Sequence, residues 1–192
     1  MTTLPSVCVY CASSPGANPA FMETAFTLGE ALANAQIRLV YGGGDNGLMG
    51  AVARGALSRD GAVLGIIPEF LVNYEQSGGA RNLEGADMVT VPDMHTRKQR
   101  MFEEADAFIA LPGGIGTLEE LVEIMTWSQL GRHTKPVLVL DVDGFWQPLT
   151  TMLDAMEATG FLHSAQRAKP KVFNSVEALG AYLVPKLAMP AS

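Results

Sequence analysis

Several features that would define a class of protein by themselves are scarce or missing in this sequence. It has only two cysteines, Cys8 and Cys11, so it has no framework for a disulfide-rich fold and no paired Cys or His motif for a structural zinc site. No run of residues is long and apolar enough to cross a membrane. The first 22 residues carry no charge, but they lack a basic segment and contain three prolines, unlike a signal peptide. We therefore expect a cytoplasmic protein with no membrane partner.

Positive charge is also scarce. The chain has 13 lysines and arginines against 20 aspartates and glutamates, which gives a net charge of −7 at pH 7. Binding of a phosphate backbone requires a broad basic face, so nucleic acid is not an expected partner. Hydrophobic residues make up 48% of the chain and charged residues only 17%. This composition excludes disorder of the whole chain and predicts one globular domain over residues 1–192, in which any anion site is local.

Short apolar runs alternate with amphipathic stretches along the chain. The runs predict buried strands at residues 7–10, 37–41, 63–67, 88–91, 107–111 and 137–140. The stretches predict helices after Asn18, Gly47, Met94, Thr117, Phe145 and Ser175. This alternation is typical of an α/β fold, a single doubly wound Rossmann-like domain with a parallel sheet and helices on both faces. Such folds bind ligands in the loops at the carboxyl ends of the strands, where we expect the functional residues.

One of these loops, at residues 112–117, is rich in glycine and leads into a helix. Backbone N–H groups at the positive end of a helix bind anions, so we interpret the loop as a phosphate cradle. Its residues are Gly113, Gly114, Gly116 and Thr117. A carboxylate at Glu120 would lie about one ribose away from the phosphate, beside the reacting carbon of a sugar. Alternatively, Thr117 and Glu120 form a capping box, and Glu120 then only caps the helix.

A second loop concentrates positive charge in this acidic chain. His95, Arg97, Lys98 and Arg100 follow a predicted strand and begin a helix. One interpretation is a solvated helix face. The other is that Arg97 faces the ligand-binding edge, where it binds phosphate or keeps a carboxylate ionised.

A third loop, at residues 42–47, contains the pattern G-x-G-x-x-G, and Glu69 follows at the spacing of a dinucleotide fingerprint. The loop follows the second strand, however, and a close-packed turn explains it at least as well.

Cys8 and Cys11 have a spacing found in zinc sites, but on one strand their side chains point to opposite faces, so buried thiols are predicted. Asp141 and Asp143 are interpreted as part of a turn. No metal site is predicted.

Together, these loops resemble the Lonely Guy (LOG) family in order and spacing. The matching segments are residues 41–50, 94–98, 112–120 and 126–131, and the pattern P-G-G-x-G-T-x-x-E at 112–120 is highly specific for the family. The resemblance covers most of the chain from Val7 to about Phe161. It implies a phosphoribohydrolase that uses water to cut the N-glycosidic bond of N6-modified adenosine 5′-monophosphates. The products would be a cytokinin-type base or adenine and ribose 5-phosphate, and no cofactor is implied.

The resemblance also implies residue roles. Arg97 and Glu120 stand at the positions of the family's catalytic pair, and the cradle residues match its phosphate loop. The remaining positions implied to bind substrate are Gly42, Gly43, Gly44, Met94, Lys98, Ile115, Glu119 and Thr126. An ionised Glu120 would stabilise the oxocarbenium charge of the ribose, and it would either orient water or act as nucleophile. Both roles stay open.

The chain departs from the family pattern at three places. Thr96 replaces a common Glu, Ala12 replaces a more usual Gly, and residues 71–85 fit poorly, which leaves substrate preference open. One alternative function is a non-catalytic nucleotide or molybdenum-cofactor carrier, and another is an NAD-binding protein that uses residues 42–47. The presence of both Arg97 and Glu120 favours the enzyme.

We also expect a homodimer. The mean hydropathy is +0.18, and the helices after Met94 and Thr117 carry more apolar residues than one face of a sheet needs. These residues are Met101, Phe102, Leu121, Met125 and Leu130. Alternatively, they fill the core of a monomer. The LOG resemblance implies a dimer with active sites close to the subunit boundary.

Overall fold

The computed structural model describes residues 4–72, 83–162, 164 and 168–188. Its strands are β1 (Ser6–Tyr10), β2 (Arg38–Tyr41), β3 (Val63–Pro68), β4 (Asp87–Val91), β5 (Ala107–Ala110), β6 (Val137–Leu140) and β7 (Lys171–Phe173). Its main helices are α1 (Pro19–Asn34), α2 (Gly47–Leu57), α3 (Met94–Glu104), α4 (Ile115–Gln129), α5 (Gln147–Ala158) and α6 (Val176–Ala188). The six predicted strands are confirmed to within one residue at each end. Within the described ranges, no helix combines the length and the apolar character of a membrane span.

The strands form one parallel sheet in the order β4-β3-β2-β1-β5-β6-β7. The chain builds outward from β1 to β4 and then crosses to the other side of β1 to add β5. The strand order therefore reverses between β1 and β5, and the loops after these two strands diverge there. This topology confirms the predicted doubly wound fold and creates a crevice at the carboxyl edge of the sheet.

Helices cover both faces of the sheet, as predicted. The side chains of β1 alternate between two cores: Val7 and Val9 pack with α1, α2 and α6, whereas Cys8 and Tyr10 pack with α3, α4 and α5. The two cysteine thiols are free and buried in different cores, which confirms their structural interpretation. Burial raises the pKa of both thiols, so they stay protonated at neutral pH.

Side-chain oxygens accept hydrogen bonds from backbone N–H groups at or just before the starts of α1, α3 and α5. Asn18 accepts a hydrogen bond from the N–H of Ala20 at 3.0 Å and Pro19 is the first residue of α1, as the sequence predicts. Asp93 caps α3 by accepting from the N–H of Thr96 at 2.7 Å. The Asp141 carboxylate accepts from the N–H of Trp146 at 2.7 Å, which confirms its interpretation as a turn residue.

The apolar residues from which we expected a subunit interface lie mainly inside the monomer. Met101, Leu121 and Met125 are buried in the core between the sheet and helices α3 and α4, and Phe102 packs against it. Leu130 alone among the five is largely exposed. The prediction that these residues form a subunit interface is therefore wrong for most of them, because composition does not distinguish core-facing from surface-facing apolar positions of a helix.

Candidate active site

A cleft of about 490 Å³ opens at the carboxyl edge of the sheet, where the strand order reverses. The loops after β1, β2 and β5 contribute to its walls, together with α3 and α4. The predicted site residues among its lining are Gly42, Arg97, Gly114, Gly116, Thr117 and Glu120. The structure thus brings together residues from all three loops that the sequence singled out, at the position where open α/β sheets bind ligands.

A buried ion pair lies at the base of this cleft. Nη1 of Arg97 on α3 is 3.6 Å from Oε1 of Glu120 on α4, and the two residues are only 8% and 9% exposed. The separation is longer than a good hydrogen bond, so the facing atoms of the pair keep capacity to bind a ligand or a water. The solvated-face interpretation of the basic run is therefore wrong for Arg97. It holds for Arg100, which is half exposed and pairs with Glu104 on its own helix at 2.6 Å.

Backbone carbonyl groups hold Arg97 in place. Its Nε donates to the carbonyl oxygen of Ile66 at 3.1 Å, and its Nη2 donates to that of Gly42 at 3.3 Å. Met94 Sδ lies 3.8 Å from Nη1. These contacts leave Nη1 directed at Glu120. Sequence analysis missed the Ile66 anchor, because a backbone carbonyl has no signature in the side-chain pattern.

Opposing effects determine the pKa of Glu120. Burial raises the pKa of Glu120 to about 6, while the nearby Arg97 charge lowers it and the neighbouring Glu119 charge raises it. The carboxyl group is therefore mostly ionised at neutral pH but is protonated more readily than an exposed glutamate. A buried carboxylate of this kind, in a cleft and beside a cation, is a common feature of catalytic sites.

The helix after the 112–117 loop begins two residues before its predicted start. Gly114 is the N-cap of α4 and makes no side-chain cap hydrogen bond, so Thr117 is already the third helical residue. A capping box needs Thr117 at the N-cap, and that alternative interpretation of Glu120 is wrong. The Glu120 carboxylate instead faces Arg97.

The first turn of α4 has the shape of an anion cradle. Apart from the chain neighbours and the helix's own backbone, no atom of the described residues lies within 4 Å of where a side chain would start at Gly114 or Gly116, so the backbone there is open to the cleft. The first N–H groups of a helix have no partner within the helix. Gly113 lies behind the cradle, since a Cβ on it would be 2.1 Å from Oγ1 of the buried Thr117. These features fit a bound phosphate group.

The remaining positions implied as substrate contacts are Gly43, Gly44, Met94, Lys98, Ile115, Glu119 and Thr126. None of the seven is among the described residues that line the cleft. Lys98 Nζ instead bridges Glu119 at 2.6 Å and Glu123 at 3.1 Å, joining α3 to α4. Ile115 and Thr126 lie on the exposed side of α4. Their contact with substrate stays a prediction.

The glycine loop at residues 42–47 is packed tightly against its neighbours. Gly43 and Gly47 have positive φ angles of 79° and 54°, and a Cβ on Gly47 would lie 2.4 Å from the backbone nitrogen of Ser14. The loop therefore fits the close-packed turn better than a dinucleotide site. Ser13 and Ser14 themselves line the cleft. Sequence analysis did not select them, although their position after the central strand β1 was the available signal.

By fold and site, this is a doubly wound α/β protein with a buried arginine–glutamate pair in the cleft at its strand-order reversal. It belongs to the LOG family. The family model, described as possible lysine decarboxylase, matches residues 49–183.

Relatives of known name support this membership. The probable cytokinin riboside 5′-monophosphate phosphoribohydrolase LOGL1 of Oryza sativa subsp. japonica is 47% identical over 156 residues, or 81% of this chain and 68% of that protein. The cytokinin riboside 5′-monophosphate phosphoribohydrolase LOG5 of Arabidopsis thaliana is 43% identical over 180 residues, or 92% and 77%. Among solved structures, the molybdenum cofactor binding protein of Rippkaea orientalis has a TM-score of 0.71 at 21% identity and covers 98% of this chain and 100% of that one. At that identity, the likeness shows the fold alone.

Proposed function

We propose that this protein is a phosphoribohydrolase that cuts the N-glycosidic bond of adenosine 5′-monophosphates, with or without an N6 substituent. The observation that carries the proposal is the buried Arg97–Glu120 pair, 3.6 Å apart, in the cleft that opens onto the first turn of α4. The relatives at 43–47% identity bear the names of enzymes of this class. The products are the free base and ribose 5-phosphate.

The geometry suggests how the substrate is held. The 5′-phosphate binds at the amino end of α4, where Gly114 and Gly116 leave the N–H groups accessible and the helix dipole favours negative charge. Glu120 lies three residues beyond Thr117, which corresponds to a rise of about 4.5 Å along the helix. A ribose attached to the phosphate is then placed beside the Glu120 carboxylate.

Cleavage of the N-glycosidic bond requires a group that stabilises positive charge on the sugar. The C1′–N bond breaks with its electron pair moving to the base, and positive charge develops on C1′ and the ring oxygen. The Glu120 carboxylate stabilises this charge, either while it orients the attacking water or by bonding to C1′ itself. Water supplies the hydroxyl of ribose 5-phosphate and the proton that the base takes up. Arg97 favours the ionised state of Glu120.

The alternative functions have less support. Likeness to molybdenum-cofactor proteins lies at 18–21% identity and concerns the fold, whereas the buried Glu120 carboxylate beside Arg97 in the cleft favours an enzyme. The tight packing of residues 42–47 disfavours an NAD site there.

We further propose a cytoplasmic location, since the free thiols of Cys8 and Cys11 are compatible with a reducing compartment.

The main test compares AMP with adenosine. Removal of the 5′-phosphate should lower kcat/KM by about 100-fold or more, because two or more charge-assisted contacts worth about 1.5–3 kcal/mol each are lost. Release of free base is measured for AMP, N6-prenylated AMP, other 5′-monophosphates and the matching ribosides. Similar efficiency for AMP and adenosine would contradict the phosphate assignment. The same panel also measures base preference, which stays open because residues 71–85 match the family pattern poorly. Most of that segment lies outside the described residues.

Activity should depend on pH through Glu120. Because the ionised carboxylate is the active form, kcat/KM should rise with pH up to about 6, the raised pKa of Glu120, and level off above it. The raised pKa of Glu120 also makes the free energy of unfolding depend on pH, in the direction opposite to activity. The folded state binds the proton more tightly than the unfolded state, so this contribution to stability is complete below the ordinary pKa of 4.5 and is lost as pH rises through about 6. A flat pH profile of kcat/KM across this range would show that the reaction does not require the ionised form of Glu120.

We also propose a homodimer formed through the exposed side of α4. Ile115, Val122 and Leu130 are 83%, 42% and 70% exposed and recur about every two helical turns, so they form an apolar stripe. Light scattering at micromolar concentration should give the mass of a dimer. Val122→Asp with Leu130→Asp should give a monomer, whereas Val184→Asp on α6 should not. Wild-type protein that is monomeric at this concentration would contradict the proposal.

A further inference from the structure

We propose that Gly42 is a positioning residue whose missing side chain makes the socket for the Arg97 guanidinium. The inference deepens the proposed function, because Arg97 acts in the reaction only if its Nη1 faces Glu120. It also gives the glycine loop after β2 a role that is distinct from contact with substrate.

The space beside Gly42 is occupied by the arginine. A Cβ built on Gly42 would lie 2.1 Å from Nη2 of Arg97 and 3.3 Å from its Cζ, and 3.0 Å from Sδ of Met49. Carbon and nitrogen atoms that are not bonded do not approach to 2.1 Å. Any side chain at residue 42 therefore excludes the observed position of the guanidinium.

Backbone conformation does not explain the glycine. Gly43 and Gly47 have positive φ angles, but Gly42 is not among the residues with positive φ. Alanine can adopt the backbone conformation of residue 42, so the requirement for glycine comes from space rather than from the turn. Gly42 differs in this respect from the two glycines that shape the rest of the loop.

The socket also fixes the direction of Arg97. The carbonyl oxygen of Gly42 accepts from Nη2 at 3.3 Å, while Ile66 accepts from Nε at 3.1 Å. With alanine at residue 42, the flexible end of the arginine side chain is the group that moves. The guanidinium then loses its hydrogen bond to the carbonyl oxygen of residue 42, and Nη1 changes its position relative to Glu120.

The first measurement is catalytic. Gly42→Ala should lower kcat/KM by about 100-fold, the cost typical of misplacing a catalytic group by about 1 Å. Because Arg97 lowers the pKa of Glu120, its displacement should also move the acidic limb of the pH profile to higher pH. The matched control is Gly180→Ala on α6, where a Cβ meets no atom of the described residues within 4 Å beyond its chain neighbours and its own helix backbone. This control should retain wild-type activity and an unchanged pH profile.

The second measurement does not depend on enzyme activity. Gly42→Ala is made in the wild type and in Arg97→Met, which keeps the aliphatic stem but lacks the guanidinium. In the wild-type background, the Tm should fall by about 2–4 °C, as expected for loss of one hydrogen bond in a protein of this size. In the Arg97→Met background, the Tm should stay the same or rise slightly, because alanine restricts the unfolded chain more than glycine does. Folding of Gly42→Ala only in the Arg97→Met background would support the same conclusion.

An equal change of Tm in both backgrounds would overturn the proposal, since Gly42 would then serve the loop and not Arg97. Absence of AMP hydrolysis by the wild type would instead contradict the proposed function. The thermal comparison would still test the socket.

Discussion

Glu120→Gln is expected to lower kcat for AMP hydrolysis by about 100-fold or more, the order found when a group that stabilises transition-state charge is removed. Glutamine has nearly the same size as glutamate and fits the same buried position. Its neutral amide, however, cannot stabilise a developing oxocarbenium ion or bond covalently to C1′. Free adenine is measured under saturating AMP, and circular dichroism verifies the fold. The loss should lie mainly in kcat because phosphate binding at Gly114 and Gly116 is unaffected.

Stability separates this catalytic role from a structural one. Burial raises the pKa of Glu120, so its ionised form costs the folded state about 2 kcal/mol above pH 6, a cost that the neutral amide does not carry. The Tm of Glu120→Gln at neutral pH should therefore equal or exceed that of the wild type. The control is Glu103→Gln on α3, an exposed carboxylate that contacts Gln99. Near-normal turnover in a folded Glu120→Gln protein would remove the residue from the mechanism.

The sequence predicted the architecture well because parallel strands buried on both faces leave continuous apolar runs. It missed β7, whose three residues include the exposed Lys171 and Val172 and so form no such run. It also placed the start of α4 at Thr117, since threonine is a common N-cap. The structure begins this helix after Gly114, which caps without a side chain.

The site was predicted in part for similar reasons. Arg97 and Glu120 stand in specific motifs at strand ends, and the doubly wound topology brings such ends together. The function of Gly42 was not predictable, because the glycine pattern is the same whether it surrounds a ligand or an arginine. The sequence also did not show which apolar residues of α3 and α4 are buried and which are exposed, since the number of neighbours around a helix depends on the completed fold.

Replacement of Arg97 tests whether position or charge matters in the basic run. Arg97→Ala should lower kcat/KM by about 100-fold or more, because Glu120 loses the cation that favours its ionised form and the substrate loses a buried positive group. Arg100→Ala removes the same charge from the same helix. Arg100 is half exposed, pairs only with Glu104 in the described structure and is not among the described residues that line the cleft. Because it does not reach the site, its loss should change kcat/KM by less than about threefold.

The salt dependence of the two variants completes the comparison. A diffuse attraction of the nucleotide by the basic cluster is screened at high ionic strength, whereas contacts inside a buried cleft are screened much less. The defect of Arg97→Ala relative to the wild type should therefore persist when salt is raised to about 0.5 M. Equal losses for Arg97→Ala and Arg100→Ala that both disappear at high salt would show that the cluster only attracts anions. In that case Arg97 would have no specific part in catalysis, and the 3.6 Å pair with Glu120 would be structural.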